Sequence, residues 1–231
     1  MNPKYSRILA TLVIVIILYK AFQHYVFPRK PIIEQIIRKN EFGEDVEKVK
    51  VSVYYEALCP DSKFFITGEL LPLFDKLKSN IEIDLVPYGK AETTIGADGT
   101  INFRCQHESL ECVANKIHSC VIEHVTDQEL RLRYIACMIT DNMKPEEAGE
   151  RCGRELDIDF SHISNCAADI KGSQLLKHYG ERTHALNPGV RFIPTIELND
   201  SQSFVPQKNI LKDLFKSVCH VFKRKPEMCE Q

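Results

Sequence analysis

Val49, Val51, Val53 and Tyr55 alternate with Lys50, Ser52 and Tyr54, the period-two pattern of a β-strand. Beyond Leu58-Cys59-Pro60-Asp61-Ser62 the period changes. Ile66, Leu70, Leu73, Phe74 and Leu77 fall on one stripe of a helix. A second strand alternates Ile81, Ile83 and Leu85 with Glu82 and Asp84 and ends at Pro87-Tyr88-Gly89. From about residue 91 to about 185 the β pattern disappears, and helices are expected near 111–125, 127–140 and 167–179. Strand character returns over Arg191–Leu198. A turn at Asn199-Asp200-Ser201 is expected to lead to a short partner strand near Phe204. A last helix carries Ile210, Leu211, Leu214, Phe215, Val218 and Phe222 on one face. The order β-α-β, helical insertion, β-β-α places the chain in the α/β class.

The N-terminus follows a different rule. After Lys4 and Arg7 come twelve uncharged residues, Ile8 to Tyr19, the layout of a secretory signal. A membrane span needs about 20 apolar residues. This run reaches that length only if Lys20 snorkels and Tyr25, Val26 and Phe27 sit at the interface. Residues 1–30 are therefore expected to be a signal peptide or a single-pass signal anchor, 31–48 a lead-in, and 49–231 one domain containing the insertion. The domain faces a lumen or the outside of the cell.

Composition adds one anomaly to an ordinary globular profile of 44% hydrophobic and 27% charged residues. The 231 residues include nine cysteines, which indicates an oxidising compartment or a metal site. An odd count leaves at least one thiol outside any set of internal disulfides. Net charge is −2, so nothing suggests a nucleic-acid partner. Lys223, Arg224 and Lys225 read as a solvated stretch. Asn199-Asp200-Ser201 is a glycosylation sequon on an expected turn, with Asn199 as acceptor.

Cys59 stands where a strand gives way to a helix. Pro60 suits the first helical position, which needs no N–H. The positive end of the helix then favours the thiolate over the thiol. At a pH of ~5 an ordinary thiol is ionised in only about one molecule in 3,000, so chemistry in an acidic organelle requires such help. The alternative is a buried small hydrophobe or half of a structural bridge. Ile193-Pro194-Thr195 heads the returning strand, and a cis proline there would lie across from Cys59.

Tyr54-Tyr55-Glu56-Ala57-Leu58-Cys59, followed by Leu85-Val86-Pro87-Tyr88-Gly89, resembles the gamma-interferon-inducible lysosomal thiol reductase family. Cys105-Gln106-His107, Glu111-Cys112, Asn115 and Cys120 match its signature at every fixed position but one, where Glu108 replaces glycine. Glu181-Arg182-Thr183, Ala185-Leu186, Pro194 at the cis-proline position, Val218-Cys219, Lys225-Pro226 and Cys229 extend the likeness over about residues 48–230. The resemblance implies a thioredoxin-like fold with a disulfide-rich helical insertion in a DsbA-like arrangement. It also implies thiol-dependent reduction of protein disulfides, without a bound cofactor or metal, and delivery to endosomes or lysosomes.

The family's active site is Cys-x-x-Cys, and here Ser62 holds the second position. A hydroxyl ionises too weakly to displace sulfur, although Ser62 can donate a hydrogen bond to the Cys59 thiolate. A monothiol enzyme follows, in which glutathione or free cysteine resolves the mixed disulfide. The alternative is a disulfide-stabilised binding protein that has lost turnover. Dimerisation through Cys59 is a third outcome.

Cys105, Cys112, Cys120, Cys137, Cys152, Cys166, Cys219 and Cys229 are expected in structural disulfides, with 105 pairings open. A zinc set of Cys105, His107, Cys112 and Cys120 has spacings unlike the usual C-x(2–4)-C. His107 and Glu111 can share a helix face, as an acid/base pair or as a brace for the insertion. His118, His124, His162, His178, His184 and His220 show no ligand spacing and are expected mostly at the surface.

Overall fold

The computed structural model describes residues 47–230. The expected signal or anchor, and the lead-in up to residue 46, lie outside the described residues. In chain order the elements are β1 (Val49–Tyr55), α1 (Pro60–Phe65), a π-helical segment (Ile66–Leu70), α2 (Leu71–Leu77), β2 (Ile81–Pro87), β3 (Glu92–Ile95) and β4 (Ile101–Arg104). Five helices follow: α3 (Glu108–His124), α4 (Gln128–Thr140), α5 (Pro145–Leu156), α6 (Phe160–Ala168) and α7 (Ile170–His184). β5 (Thr195–Leu198), α8 (Gln207–Ile210), α9 (Leu214–Val221) and a 3₁₀ turn (Glu227–Cys229) complete the chain. No helix among the described residues is long and apolar enough to cross a membrane.

β1 is the central strand of a three-stranded sheet, parallel to β2 and antiparallel to β5. Val49, Val51, Val53 and Tyr55 face the main core with Ile81, Ile83, Leu85, Ile196 and Leu198. Of the polar positions in the β1 alternation, Ser52 and Tyr54 are buried as well. The second face is covered: Tyr54 packs with Val86, Tyr88, Leu176 and Tyr179, so α7 closes that side. The Tyr54 hydroxyl donates to Glu197 Oε2 at 3.0 Å, and Ser52 Oγ to Asp84 Oδ2 at 3.1 Å. These bonds offset the desolvation of polar groups inside the layer.

The stripe that follows Cys59 is fully used. Ile66, Leu70, Leu73, Phe74 and Leu77 are all buried, each contributing roughly 1.5–3 kcal/mol. Pro72 supplies no N–H to the preceding turn, and the helix passes through its π-helical segment just before it.

The region from 91 to 185 differs from the sequence expectation in two ways. It opens with an antiparallel hairpin, β3 paired with β4. Gly99, at φ 84°, and the Gly96 N–H to Thr100 carbonyl bond of 2.8 Å close its turn. Thr93, Thr94 and Ile95 before that turn, and Ile101 and Phe103 after it, are β-formers, but in runs too short to stand out as a strand pattern. It also contains α5 and α6, which the pattern did not reveal. Gly149 and Gly153 weaken the helical signature of α5, yet both lie against neighbours: a Cβ at Gly149 would overlap the Phe160 ring. Pro145 at the start of α5 and the Asp159 cap of α6 were the available start signals.

The strand expected near Phe204 does not form. Asn199 and Asp200, at φ 50° and 58°, make a tight turn whose return is a single bridge, Leu198 to Ser201. Phe204 is exposed, and the chain leaves through Pro206 into α8.

Four disulfides join Cys105 to Cys112, Cys120 to Cys166, Cys137 to Cys152 and Cys219 to Cys229. Three of them tie the insertion together, and the fourth fastens the C-terminal turn to α9. The zinc set of Cys105, His107, Cys112 and Cys120 is overturned, since its three sulfurs are bonded to other sulfurs. His118 also departs from expectation. It is buried, with Nδ1 3.0 Å from the Tyr55 hydroxyl.

Candidate active site

β1 ends at Tyr55, and the next four residues turn the chain into α1. Cys59 is the N-cap of α1 and Pro60 its first residue. The Cys59 N–H donates to the Glu56 carbonyl at 3.3 Å, and the Cys59 carbonyl accepts from Lys63 N–H at 3.0 Å. Both backbone groups of Ala57 are held by side chains from the insertion: Asn115 Oδ1 accepts from its N–H at 2.9 Å, and Asn142 Nδ2 donates to its carbonyl at 2.9 Å. The turn is therefore fixed by the insertion and by its own backbone.

Cys59 is the free cysteine and is 8% exposed. Ser62, one turn on, is fully buried, and its Oγ accepts the Glu56 N–H at 3.3 Å. With a lone pair engaged, the Ser62 hydroxyl retains a proton to donate. The Ile193-Pro194 bond is cis, as is Asn187-Pro188. Thr195 pairs with Tyr54 in the antiparallel register, so Pro194 falls level with the end of β1, where the Cys59 turn begins.

The start of α3 packs under the same turn. Glu111 and Asn115 are buried, and His107 is 35% exposed at its side chain. Glu111 Oε1 accepts from the His107 N–H at 3.1 Å, and Glu111 Oε2 lies 2.6 Å from His107 Nδ1. Glu56 completes the group, with Oε2 3.5 Å from His107 Nδ1. Its other oxygen, Oε1, accepts from the Lys90 N–H at 2.8 Å. Burial raises the Glu56 carboxyl above its ordinary range; the Lys90 N–H opposes this and the nearby Glu111 adds to it. Glu56 Oε2 and Asn115 Nδ2 are buried with no hydrogen-bond partner.

Gly89 makes room for Glu56. At φ 62° it takes the left-handed region, and a Cβ there would overlap the Glu56 side chain. Glu108 takes φ 64° at the position where the family signature has glycine, which explains why a residue without a Cβ suits that place.

The structure thus brings Cys59, Ser62, Pro194, His107, Glu111 and Asn115 to one end of the sheet. Gln106 is exposed beside them. Asn199 lies apart, on the exposed turn after β5, where its Oδ1 accepts the Lys50 N–H at 2.9 Å. Sequence reasoning gave Glu56 no role of its own. Its signal was an acidic residue directly after an apolar central strand and three positions before Cys59.

A family model described as gamma interferon inducible lysosomal thiol reductase matches residues 50–156. A gamma-interferon-inducible lysosomal thiol reductase-like protein of Anopheles gambiae is 35% identical over 195 residues, covering 79% of this chain and 80% of the relative. A gamma-interferon-inducible lysosomal thiol reductase of Mus musculus is 28% identical, over 78% of this chain and 71% of its own length. Among solved structures, Chlamydia trachomatis DsbA superposes with a TM-score of 0.53 at 16% identity, covering 78% of this chain and 91% of that one. The fold is thioredoxin-like with a helical insertion, in the DsbA arrangement. The chain belongs to the gamma-interferon-inducible lysosomal thiol reductase family.

Proposed function

We propose that the protein is a lumenal thiol-disulfide oxidoreductase that reduces protein disulfides through Cys59 alone. The observation that carries this reading is the placement of the one free cysteine at the N-cap of α1, with a serine at the position of the family's second cysteine. The Cys59 thiolate attacks one sulfur of a substrate disulfide. That S–S bond breaks, a mixed disulfide forms, and the departing substrate thiolate takes a proton. A small thiol, glutathione or cysteine, then attacks the Cys59 sulfur and releases the second substrate thiol. A second small thiol frees Cys59 and leaves as the oxidised dimer. Two small thiols are oxidised for each substrate disulfide reduced, and no bound cofactor takes part. Ser62 donates its hydroxyl proton to the sulfur while negative charge resides there, and Pro194 lines the opposite wall against the substrate backbone.

The four disulfides support an oxidising compartment, reached through the N-terminal signal or anchor segment, with the endosomal or lysosomal lumen as destination. Asn199 is the glycan acceptor; its exposure on a turn suits the modification.

Insulin reduction with added cysteine or glutathione tests the proposal. Wild type is expected to turn over only with the small thiol, Cys59→Ser to lose at least about 100-fold in rate, and Ser62→Cys to gain rate and depend less on the small thiol. The second reading is a client-binding protein without turnover, favoured by the near-complete burial of Cys59 together with Ser62. Equal, background-level rates for wild type and Cys59→Ser would select it.

A further inference from the structure

Two buried carboxylates and one imidazole converge beneath the Cys59 turn. Their ligand atoms, one from each residue, lie within 4.8 Å of one another. We propose that Glu56, His107 and Glu111 form a binding site for a divalent transition-metal ion of the zinc class.

The charge balance asks for a cation. Among the described residues, His107 is the only ion-pair partner of either carboxylate. Glu56 is 1% exposed and Glu111 fully buried, so bulk water does not screen the two carboxylates, and the Lys90 charge acts on Glu56 without forming an ion pair with it. Glu56 Oε2 points into the group and has no hydrogen-bond partner.

The donor atoms are held in place by groups that are not ligands. The Lys90 N–H fixes Glu56 Oε1, and the His107 N–H fixes Glu111 Oε1, which leaves both Oε2 atoms and His107 Nδ1 turned inward. Gly89 clears the space that the Glu56 side chain occupies, and the Cys105–Cys112 bridge closes the segment bearing His107 and Glu111. Such orientation of ligands by surrounding groups is what metal sites require. An ion about 2.0–2.2 Å from each donor takes the place of the hydrogen bond between His107 Nδ1 and Glu111 Oε2 and parts these two atoms, now 2.6 Å apart, while Glu56 Oε2 already stands 3.5 Å from Nδ1.

One imidazole and two carboxylates are borderline-to-hard donors, which suit zinc, manganese or iron(II) and disfavour copper(I). The half-exposed side of His107 gives the ion its path and leaves a fourth position for water. Binding displaces the proton held between His107 Nδ1 and Glu111 Oε2, and the ring carries its remaining proton on Nε2. Nothing in the site requires Cys59, so it stands or falls independently of the redox proposal.

The test uses the full chain with its disulfides intact, in the Cys59→Ser form so that no thiol can ligate. Zinc is titrated at neutral pH by calorimetry, and cobalt(II) by visible absorption. The expected result is one equivalent bound, with a cobalt spectrum typical of nitrogen and oxygen ligands and no thiolate charge-transfer band. Glu56→Gln and Glu111→Gln should each weaken binding at least about tenfold, while the neighbouring Glu108→Gln leaves it unchanged. If a carboxylate variant fails to fold, His107→Ala on the open side carries the same comparison. Absence of a stoichiometric site, or binding unaffected by Glu56→Gln or His107→Ala in folded protein, would overturn the proposal and assign the counter-charge to a proton.

Discussion

The sheet and the insertion are held together by different means, and sulfur marks the boundary. β1 is paired on both edges and covered on both faces, and no cysteine lies in β1, β2 or β5. The insertion runs through five helices and a polar hairpin, and three of the four disulfides are there. Where apolar burial suffices, the chain spends no sulfur. The one reduced cysteine sits on the sheet side of the boundary, in a turn whose backbone the insertion clamps through Asn115 and Asn142. The insertion is thus the frame that fixes the Cys59 turn, and the four bridges, three of them in the insertion, hold the other eight sulfurs.

That contrast can be broken most severely at Cys120–Cys166, whose separation of 46 residues makes it the longest crosslink. Replacing both by serine should cost about 4 kcal/mol in denaturant unfolding, against about 2 kcal/mol for Cys105–Cys112, separated by 7 residues. Equal losses would mean that loop length does not govern the insertion's stability. On the sheet side, Ile196→Ala should cost about 3 kcal/mol with the bridges oxidised or reduced.

Acidification acts at the contact between the two regions. Burial holds His118 of α3, facing the Tyr55 hydroxyl of β1, down at about 3, whereas an unfolded histidine titrates near about 6.5. Its neutral ring therefore contributes stability above pH ~6.5 that is lost as the pH falls toward about 3. Between pH ~7 and ~5 the loss should be about 2 kcal/mol, and His118→Gln should remove that slope in urea titrations at the two pH values. The smallest effect is expected at Glu108. Glycine in its left-handed conformation should stabilise the protein by about 0.5–1 kcal/mol, read as a raised denaturation midpoint.

Much of this architecture was legible because period and burial agree. The alternation of β1 and β2 and the stripe from Ile66 to Leu77 name elements whose apolar faces are now inside. The hairpin was hidden because its strands are four residues long and Ile95 and other side chains face solvent. α5 was hidden by glycines whose role is close packing, which only the tertiary neighbour Phe160 explains. Cys59, Ser62 and Pro194 could be proposed from their places beside a strand end and from the family resemblance. Glu56 could not, because its meaning depends on His107 and Glu111, about fifty residues away. Sequence shows which residues are unusual, and the fold decides which of them meet.

The most direct measurement is peptide mapping of the full chain, alkylated without reduction and quenched during turnover on a disulfide substrate with glutathione. Cys59 is expected as a free thiol and as mixed disulfides with substrate and with glutathione, while the other eight cysteines remain in their four bridges. Cys59 in an internal bridge, or substrate reduced while Cys59 carries no mixed disulfide and another cysteine does, would contradict it.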